Sequence, residues 1–348
     1  MYDYAWAPFM RSDEPASCVF AATSRDHPVH LWDAYNGTLR ATYQCHDQYD
    51  AVAAAHSLAF ADAGGTLLCG RKGALHVHSL ERPGRAQAVR SVATSPGGVR
   101  GVVSRVAVHE ESGMIACGGF CGRVALYGPL SEGRAGHERQ QHLADLPRLP
   151  SGVTDLRFSP DGRFLWVGMR RRGDLYCFDV RSPQRPVMML DRGPLTNQRM
   201  YFDLTADGRW LATGTQRGEV RFYDTWSAQE AGEGLTVGPA VRNAEVVLAP
   251  PVTGVADPAY VLAKPPLSRQ LCGTSINGVS LHPYLPLAAT STGQRHFAMP
   301  GLEDDSDAEG EGEGVEPMPV TAETLPLSAL ANGVGLWSLK DANIWAAG

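Results

Sequence analysis

The chain has 348 residues, 31 Lys+Arg against 37 Asp+Glu, a formal net charge of -6, and 43% hydrophobic residues with 8% aromatics. That apolar share excludes a wholly disordered chain. No run approaches about 18 consecutive apolar residues, which excludes an apolar membrane-spanning helix, and the length suits one large closed all-β unit as well as two ordinary domains.

The start, MYDYAWAPFM, has no basic region followed by an apolar stretch, so no secretory signal is expected in it. From there one pattern recurs: an apolar strand, a Gly-containing turn, a second strand ending in Gly or Ser, a tight polar turn, and a third strand ending in an aromatic. Its instances are CVFAATSRDHPVHLWD (18–33), AHSLAFADAGGTLLCGRKGALHVHSL (55–80), VVSRVAVHEESGMIACGGFCGRVALYGPL (102–130), VTDLRFSPDGRFLWVGMRRRGDLYCFDVR (153–181) and YFDLTADGRWLATGTQRGEVRFYDT (201–225). A sixth, INGVSLHPYLPLAATSTGQR (276–295), is completed by VGLWSLK (334–340) after an insertion. The third strands end at Trp32, His78, Tyr127, Phe178, Tyr223 and Trp337, the first five spaced by 46, 49, 51 and 45 residues.

Apolar residues alternate within each unit, as in Leu156, Phe158, Phe164 and Trp166, which is strand periodicity. Asp161-Gly162 and Asp207-Gly208 supply the positive backbone angles of tight hairpins. A period of 40 to 50 residues with Trp32-Asp33, Phe178-Asp179 and Tyr223-Asp224 dipeptides predicts a WD-repeat β-propeller over 1–340. Its six recognisable blades fall near 2–45, 52–90, 100–145, 150–192, 197–226 and 274–340, and a seventh is expected in a full-length protein. The Pro/Ala/Gly/Val-rich segment 227–272 and the acidic, Gly-rich 299–330 have neither strand nor helix period and read as disordered insertions.

The acidic insertion changes the meaning of the net charge. Residues 303–316 hold eight acids and no base, and without them 31 bases face 29 acids, a charge of +2. Ser306, inside DDSD, is a candidate for an acid-directed kinase, while the plain reading of the segment is a solvated loop.

In a WD-type blade the turn between the second and third strands opens on the same face as the loop before the inner strand. Those turns carry Arg25, Arg71 with Lys72, Arg123, Arg170 with Arg171 and Arg172, Arg217, and Arg295. Polar turns favour charged residues in general. The sharper reading is a ring of guanidinium groups, which offers planar bidentate donors to phosphates and stacking planes to bases. Asn197, Gln198 and Arg199 precede the fifth inner strand, where amides could bond base edges and Tyr201 could stack; a loop-capping role for the amides competes. His27, His30 and His56 are expected in structural hydrogen bonds.

No Gly-x-Ser-x-Gly, phosphate-binding Gly-Lys loop or His-Glu-x-x-His occurs, and Asp33, Asp179 and Asp224 occupy structural WD positions, so no catalytic site or cofactor is expected. Cys117 and Cys121 lack a second Cys/His pair, so no metal site is expected there. Seven cysteines at wide spacings fit reduced thiols of the cytosol or nucleus better than a disulfide framework.

YDYAWAPF, SRDHPVHLWDAYNGTLRATY, AAHSLAF, TNQRMYFDL, and NGVSLHPYLPLAATSTGQR followed by an acidic insertion together go beyond general WD features. In these motifs the chain closely resembles the telomerase Cajal body protein family, from Tyr2 to about Lys340. The resemblance implies a non-enzymatic nuclear RNA-binding scaffold that recognises the Cajal body box in small Cajal body RNAs and in telomerase RNA. It implies delivery of these particles to Cajal bodies, support for telomerase trafficking to telomeres, a dyskerin-type ribonucleoprotein core as partner, and transient cytoplasmic folding by the cytosolic chaperonin. It places RNA contact on Arg25, Arg172, Arg199 and Arg295, supported by Asn197, Gln198 and Tyr201, while Arg181 is expected to brace its blade. A monomer without membrane partners is expected. The alternative is a protein–protein scaffold or substrate receptor whose basic face binds acidic or phosphorylated peptides. The family's N-terminal extension and first blade have no counterpart here, and the second repeat, ending in Val77-His78-Ser79, reads as a loosened blade.

Overall fold

The computed structural model describes residues 2–93, 96–130, 141–193, 198–226, 261–263, 267–271, 274–293 and 332–338. These form six antiparallel-based sheets arranged as propeller blades, each counted from an inner strand outward. Strands are numbered in chain order. The first blade holds β1 (Asp3–Trp6), β2 (Val19–Thr23), β3 (Val29–Asp33) and β4 (Leu39–Gln44), with β8 (Gly84–Arg85) parallel to β4 at its edge. The second holds β5 (Ser57–Ala61), β6 (Thr66–Gly70), β7 (Ala74–Ser79) and β9 (Ala88–Ser91). The third holds β10 (Val103–Val108), β11 (Ile115–Gly119), β12 (Val124–Tyr127) and β13 (His142–Asp145). The fourth holds β14 (Val153–Phe158), β15 (Phe164–Met169), β16 (Asp174–Asp179) and β17 (Pro186–Asp191), with β21 (Val261–Ala263) parallel to β17. The fifth holds β18 (Phe202–Leu204), β19 (Trp210–Gly214), β20 (Glu219–Asp224) and β22 (Leu267–Gln270). The sixth holds β23 (Ile276–Leu281), β24 (Leu287–Gly293) and β25 (Asn332–Ser338).

The segment 227–272 is therefore not wholly an insertion. Its C-terminal part supplies β21 and β22, and β22 completes the fifth blade by pairing Leu267 with Phe222 and Gln270 with Glu219. The outer edge of β20 carries backbone donors and acceptors that need partners, and a short sequence such as LSRQ meets that need without an alternating apolar signature. Residues 227–260 and the acidic segment 299–330 lie outside the described residues.

The core is divided among the seams between blades. Val19, Leu31, Tyr43, Leu58 and Leu67 fill the first seam, and Leu68, Val103, Ile115 and Tyr127 the second. Leu126, Val153, Leu165 and Phe178 fill the third, Trp166, Phe202, Leu211 and Tyr223 the fourth, and Phe222, Ile276 and Leu281 the fifth. Each such side chain contributes about 1.5–3 kcal/mol by leaving water, so the seams hold the blades in register. The second blade is not loosened: His78 is fully buried in the first seam, and β7 pairs with β6 from Ser79 to Leu75. The far face of the first blade exposes Tyr4 and Trp6, and that of the sixth exposes Val334 and Leu336. No helix among the described residues is long and apolar enough to cross a membrane.

Candidate nucleic-acid interface

The second-to-third-strand turns share one face with the loops that lead into the inner strands. Backbone hydrogen bonds join the two sets: Gly73 N donates to Gly101 O at 2.9 Å, Leu149 N to Gly122 O at 2.8 Å, Arg192 N to Gly173 O at 2.6 Å and Leu271 N to Gly218 O at 2.9 Å. Every cation singled out in these turns, where described, thus opens on the same end of the propeller.

On that face the cations divide by burial. Arg25, Lys72, Arg170, Arg171 and Arg217 are exposed. Arg25 lies 3.3 Å from Asp26, an exposed pair that costs little to separate. Arg170 sits 5.9 Å from the ring of Phe120, which is itself 46% exposed. The sequence reading did not single out Phe120; its only signal was an aromatic in a polar turn beside Cys121. Arg171 takes a φ of 55° in its turn.

The remaining cations are half-buried, and Arg71, Arg172 and Arg199 bond to protein. Arg71 Nη1 donates to His46 O at 2.6 Å, and Arg172 Nη2 to Asp174 Oδ2 at 2.8 Å. Arg123 is half-buried. Arg199 reaches across the propeller centre, with Nη2 donating to Ser104 O at 2.6 Å and Nη1 to Tyr2 O at 3.0 Å. Tyr201 lies between Arg105 and Arg199, whose guanidinium carbons are 5.7 and 5.9 Å from its ring. Burial raises its hydroxyl above the ordinary tyrosine value against the opposing pull of Arg199. Gln198 Oε1 accepts from Ser275 Oγ at 2.8 Å. Asn197, Arg295 and Ser306 lie outside the described residues.

Around Arg199 lies a charged centre that the sequence reading missed. Arg105 on β10 donates from Nη1 to Asp3 Oδ1 of β1 at 3.2 Å, and its Nε is 2.8 Å from Asp155 Oδ1 of β14. Burial works against the Arg105 charge, but Asp155 and Asp3 outweigh it and hold the guanidinium above its usual value. Asp3 is raised by burial, with Arg105 and Arg199 pulling the other way. Asp3 and Asp155, and likewise Asp203 of β18, also lock the seams by accepting from backbone N–H groups of the next inner strand: Leu58 N to Asp3 at 2.9 Å, Phe202 N to Asp155 at 3.4 Å and Leu281 N to Asp203 at 2.9 Å. Between them, Ser57 Oγ donates to Val103 O at 2.9 Å and Ser104 Oγ to Val153 O at 2.6 Å. A polar side chain of the inner strand therefore bridges each of the five seams, the aspartates as acceptors and the serines as donors. The available signal was a polar residue within the inner strand of five blades; the registers put Asp3, Ser57 and Asp155 at one position, Ser104 one residue before it and Asp203 two residues after it.

The WD-type carboxylates are structural, each held within its own blade. Asp33 binds Arg40 and accepts from Tyr35 N at 2.9 Å; Asp179 accepts three bonds from Arg181, one from its backbone N and two from its guanidinium; Asp224 pairs with Arg209. Of the histidines, His30 bonds Thr42 Oγ1 at 3.0 Å within its blade, His56 packs on Tyr2, and His27 is exposed. Two other histidines cross a seam: His109, whose Nε2 lies 2.9 Å from Pro160 O, and His78, whose Nε2 faces Cys45 Sγ. Cys117 is buried, its thiol pushed up to about 12 by burial, and Cys121 is half-buried.

No protein-family profile matches the chain. Among curated proteins, telomerase Cajal body protein 1 of Bos taurus is 36% identical over 300 residues, covering 86% of this chain and 49% of its own length. The telomerase Cajal body protein 1 homolog of Drosophila melanogaster is 30% identical over 309 residues, covering 88% of this chain and 48% of its own length. By sequence, this propeller belongs to the telomerase Cajal body protein family. The chain spans about half the length of the family members it matches. Among solved structures, a chain of the mitotic checkpoint complex superposes with a TM-score of 0.54 at 14% identity, covering 84% of this chain and 76% of that one. At that identity the likeness carries the WD-type propeller fold alone. The family resemblance agrees with the curated relatives, and the fold read from the repeats agrees with the solved structure.

Proposed function

We propose that this propeller is a non-enzymatic RNA-binding scaffold for nuclear ribonucleoproteins. It recognises the Cajal body box of small Cajal body RNAs and of telomerase RNA, directs these particles to Cajal bodies and supports telomerase trafficking to telomeres. Its partners are a dyskerin-type core and, during cytoplasmic folding, the cytosolic chaperonin. The observation that carries this reading is the 36% identity to a protein named for telomerase and the Cajal body, over 86% of the chain. The exposed cations Arg25, Lys72, Arg170, Arg171 and Arg217 on one propeller face support it. A single-stranded RNA loop splays its bases and phosphates, and such a face can hold the phosphates while Phe120 offers a stacking plane beside Arg170.

The test is binding of the purified chain to a hairpin bearing the box, against the same hairpin with its loop bases scrambled. Each mismatched contact is expected to cost about 1–3 kcal/mol, and the double substitution Arg170→Ala with Arg171→Ala weakens binding to the cognate hairpin. Equal affinity for both hairpins overturns the reading.

A further inference from the structure

Three side chains meet inside the first seam, away from the basic face. The ligand atoms of Cys45, Cys69 and His78 all lie within 4.8 Å of one another, and Cys45 Sγ is 3.6 Å from His78 Nε2. Cys45 follows β4 of the first blade, whereas Cys69 on β6 and His78 on β7 belong to the second. Cys45 is 1% exposed, and the other two are 0% exposed.

The position of His78 shows what is unusual here. Paired with Leu67, it corresponds to Tyr127, paired with Ile115, and to Tyr223, paired with Leu211. Those tyrosines reach back across their seams: Tyr127 Oη donates to Val92 O at 3.3 Å, and Tyr223 Oη to Asp191 O. In the first seam the phenol–carbonyl bond is replaced by an imidazole facing sulfur. Tyr43 packs edge-on at 5.6 Å against the His78 ring and is itself anchored to Leu80 O at 3.1 Å, which fixes the ring with Nε2 toward Cys45. His78 Nδ1 is buried without a hydrogen-bond partner, and Nε2 of this fully buried ring faces the Cys45 sulfur. A neutral S–H to nitrogen contact is weak recompense for burying an imidazole.

We propose that Cys45, Cys69 and His78 form a binding site for a thiophilic d10 metal ion that staples the first blade to the second. Two thiolates and one imidazole form a soft donor set suited to Zn(II) or Cu(I). Metal–sulfur and metal–nitrogen bonds of about 2.3 and 2.0–2.1 Å at a tetrahedral angle hold S and N about 3.6 Å apart, which is the separation between Cys45 and His78. Two thiolates neutralise a divalent ion, so a zinc site carries no net charge into the seam; Cu(I) accepts three donors without a fourth. No fourth Cys, His, Asp or Glu joins the cluster among the described residues, so zinc takes a non-protein or backbone oxygen as its last ligand. The ligands sit in a sealed seam, which suits a structural ion and offers no route for a substrate.

The test uses the full chain, reduced and stripped of metal, then loaded with Zn(II) or with Cu(I) under argon. Metal content is read by atomic emission, with Co(II) as a spectroscopic probe of thiolate ligation. The expected result is about one equivalent of one of the two ions, a thiolate-to-cobalt charge-transfer band, and a raised unfolding temperature. Cys69→Ser lowers the affinity by more than about 100-fold. His78→Tyr restores the residue type found in β12 and β20, so it keeps the blade folded while removing the third ligand. Zinc loading without copper, or the reverse, identifies the ion. Retention of neither ion by the folded chain overturns the proposal. So does metal retained equally by Cys69→Ser and His78→Tyr, because the metal then lies elsewhere.

Discussion

Arg105 of β10 and Asp155 of β14 form an ion pair of 2.8 Å across the third seam, with the carboxylate side chain 0% exposed. The same guanidinium reaches Asp3 of the first blade, so one side chain couples three blades at the propeller centre. Replacing Arg105 with Ala breaks the ion pair of the fully buried Asp155 and leaves Asp3 with Arg199 alone, which costs about 3–5 kcal/mol. Urea unfolding of Arg105→Ala against wild type checks this, and a change below about 1 kcal/mol shows that the centre is held by other contacts.

Arg199 and Arg170 separate by the same measurement. Arg199 is bound to Ser104 O and Tyr2 O inside the centre, whereas Arg170 is exposed beside Phe120. Arg199→Ala is expected to lower the urea midpoint clearly, and Arg170→Ala to change stability by no more than about 0.5 kcal/mol. Equal effects of the two substitutions contradict the division between central and surface cations.

The salt dependence of RNA binding measures the surface group. Each phosphate contact removed lowers the slope of log affinity against log salt by about 1, so Arg170→Ala with Arg171→Ala lowers it by about 2. An unchanged slope in titrations across salt excludes these two residues from the phosphate contacts.

Acid destabilisation follows from the carboxylates braced within the blades. Hydrogen bonds from Arg40, then from Asn36 and Tyr35, hold Asp33 below the usual carboxylate range, and those from Arg181 do the same for Asp179. A folded value below the unfolded one means that their stabilisation is complete above about pH 3.9 and is lost as pH falls through the folded value. Asp33→Asn is expected to lower stability at neutral pH and to flatten its fall below about pH 3.9. An acid limb of unchanged steepness in stability measurements across that range contradicts the assignment.

Close packing at the second seam gives a prediction independent of charge. A Cβ at Gly70 would strike Ser57 Oγ and sit 2.8 Å from Val103 Cγ1, while Ser57 Oγ already donates to Val103 O. Gly70→Ala is expected to destabilise by about 1–3 kcal/mol in thermal or urea unfolding. Wild-type stability in the variant means that the seam relaxes at no cost.

Much of the blade architecture was legible before any coordinates, because alternating apolar residues and Asp-Gly turns are local signals that each blade repeats. The fifth blade shows the limit of such signals. Its outer strand, Leu267–Gln270, is a short polar segment that becomes a strand only because the edge of β20 stands ready to pair with it. The placement of turn arginines on one face was likewise readable, since hairpin connectivity alone decides which end of a blade a turn occupies.

The order of amino acids alone carries the period, the sheet class, the turns that hold the cations and the family resemblance. The folded molecule adds which of those cations are buried against protein, and which distant residues meet. Arg199 and Tyr2 are remote in the chain yet hydrogen-bonded at 3.0 Å, and Cys45 comes to His78 only when two blades close on each other. Local patterning sets what a strand is. The closing of blades around a shared centre sets what its side chains touch, and no short-range periodicity encodes contacts made between blades.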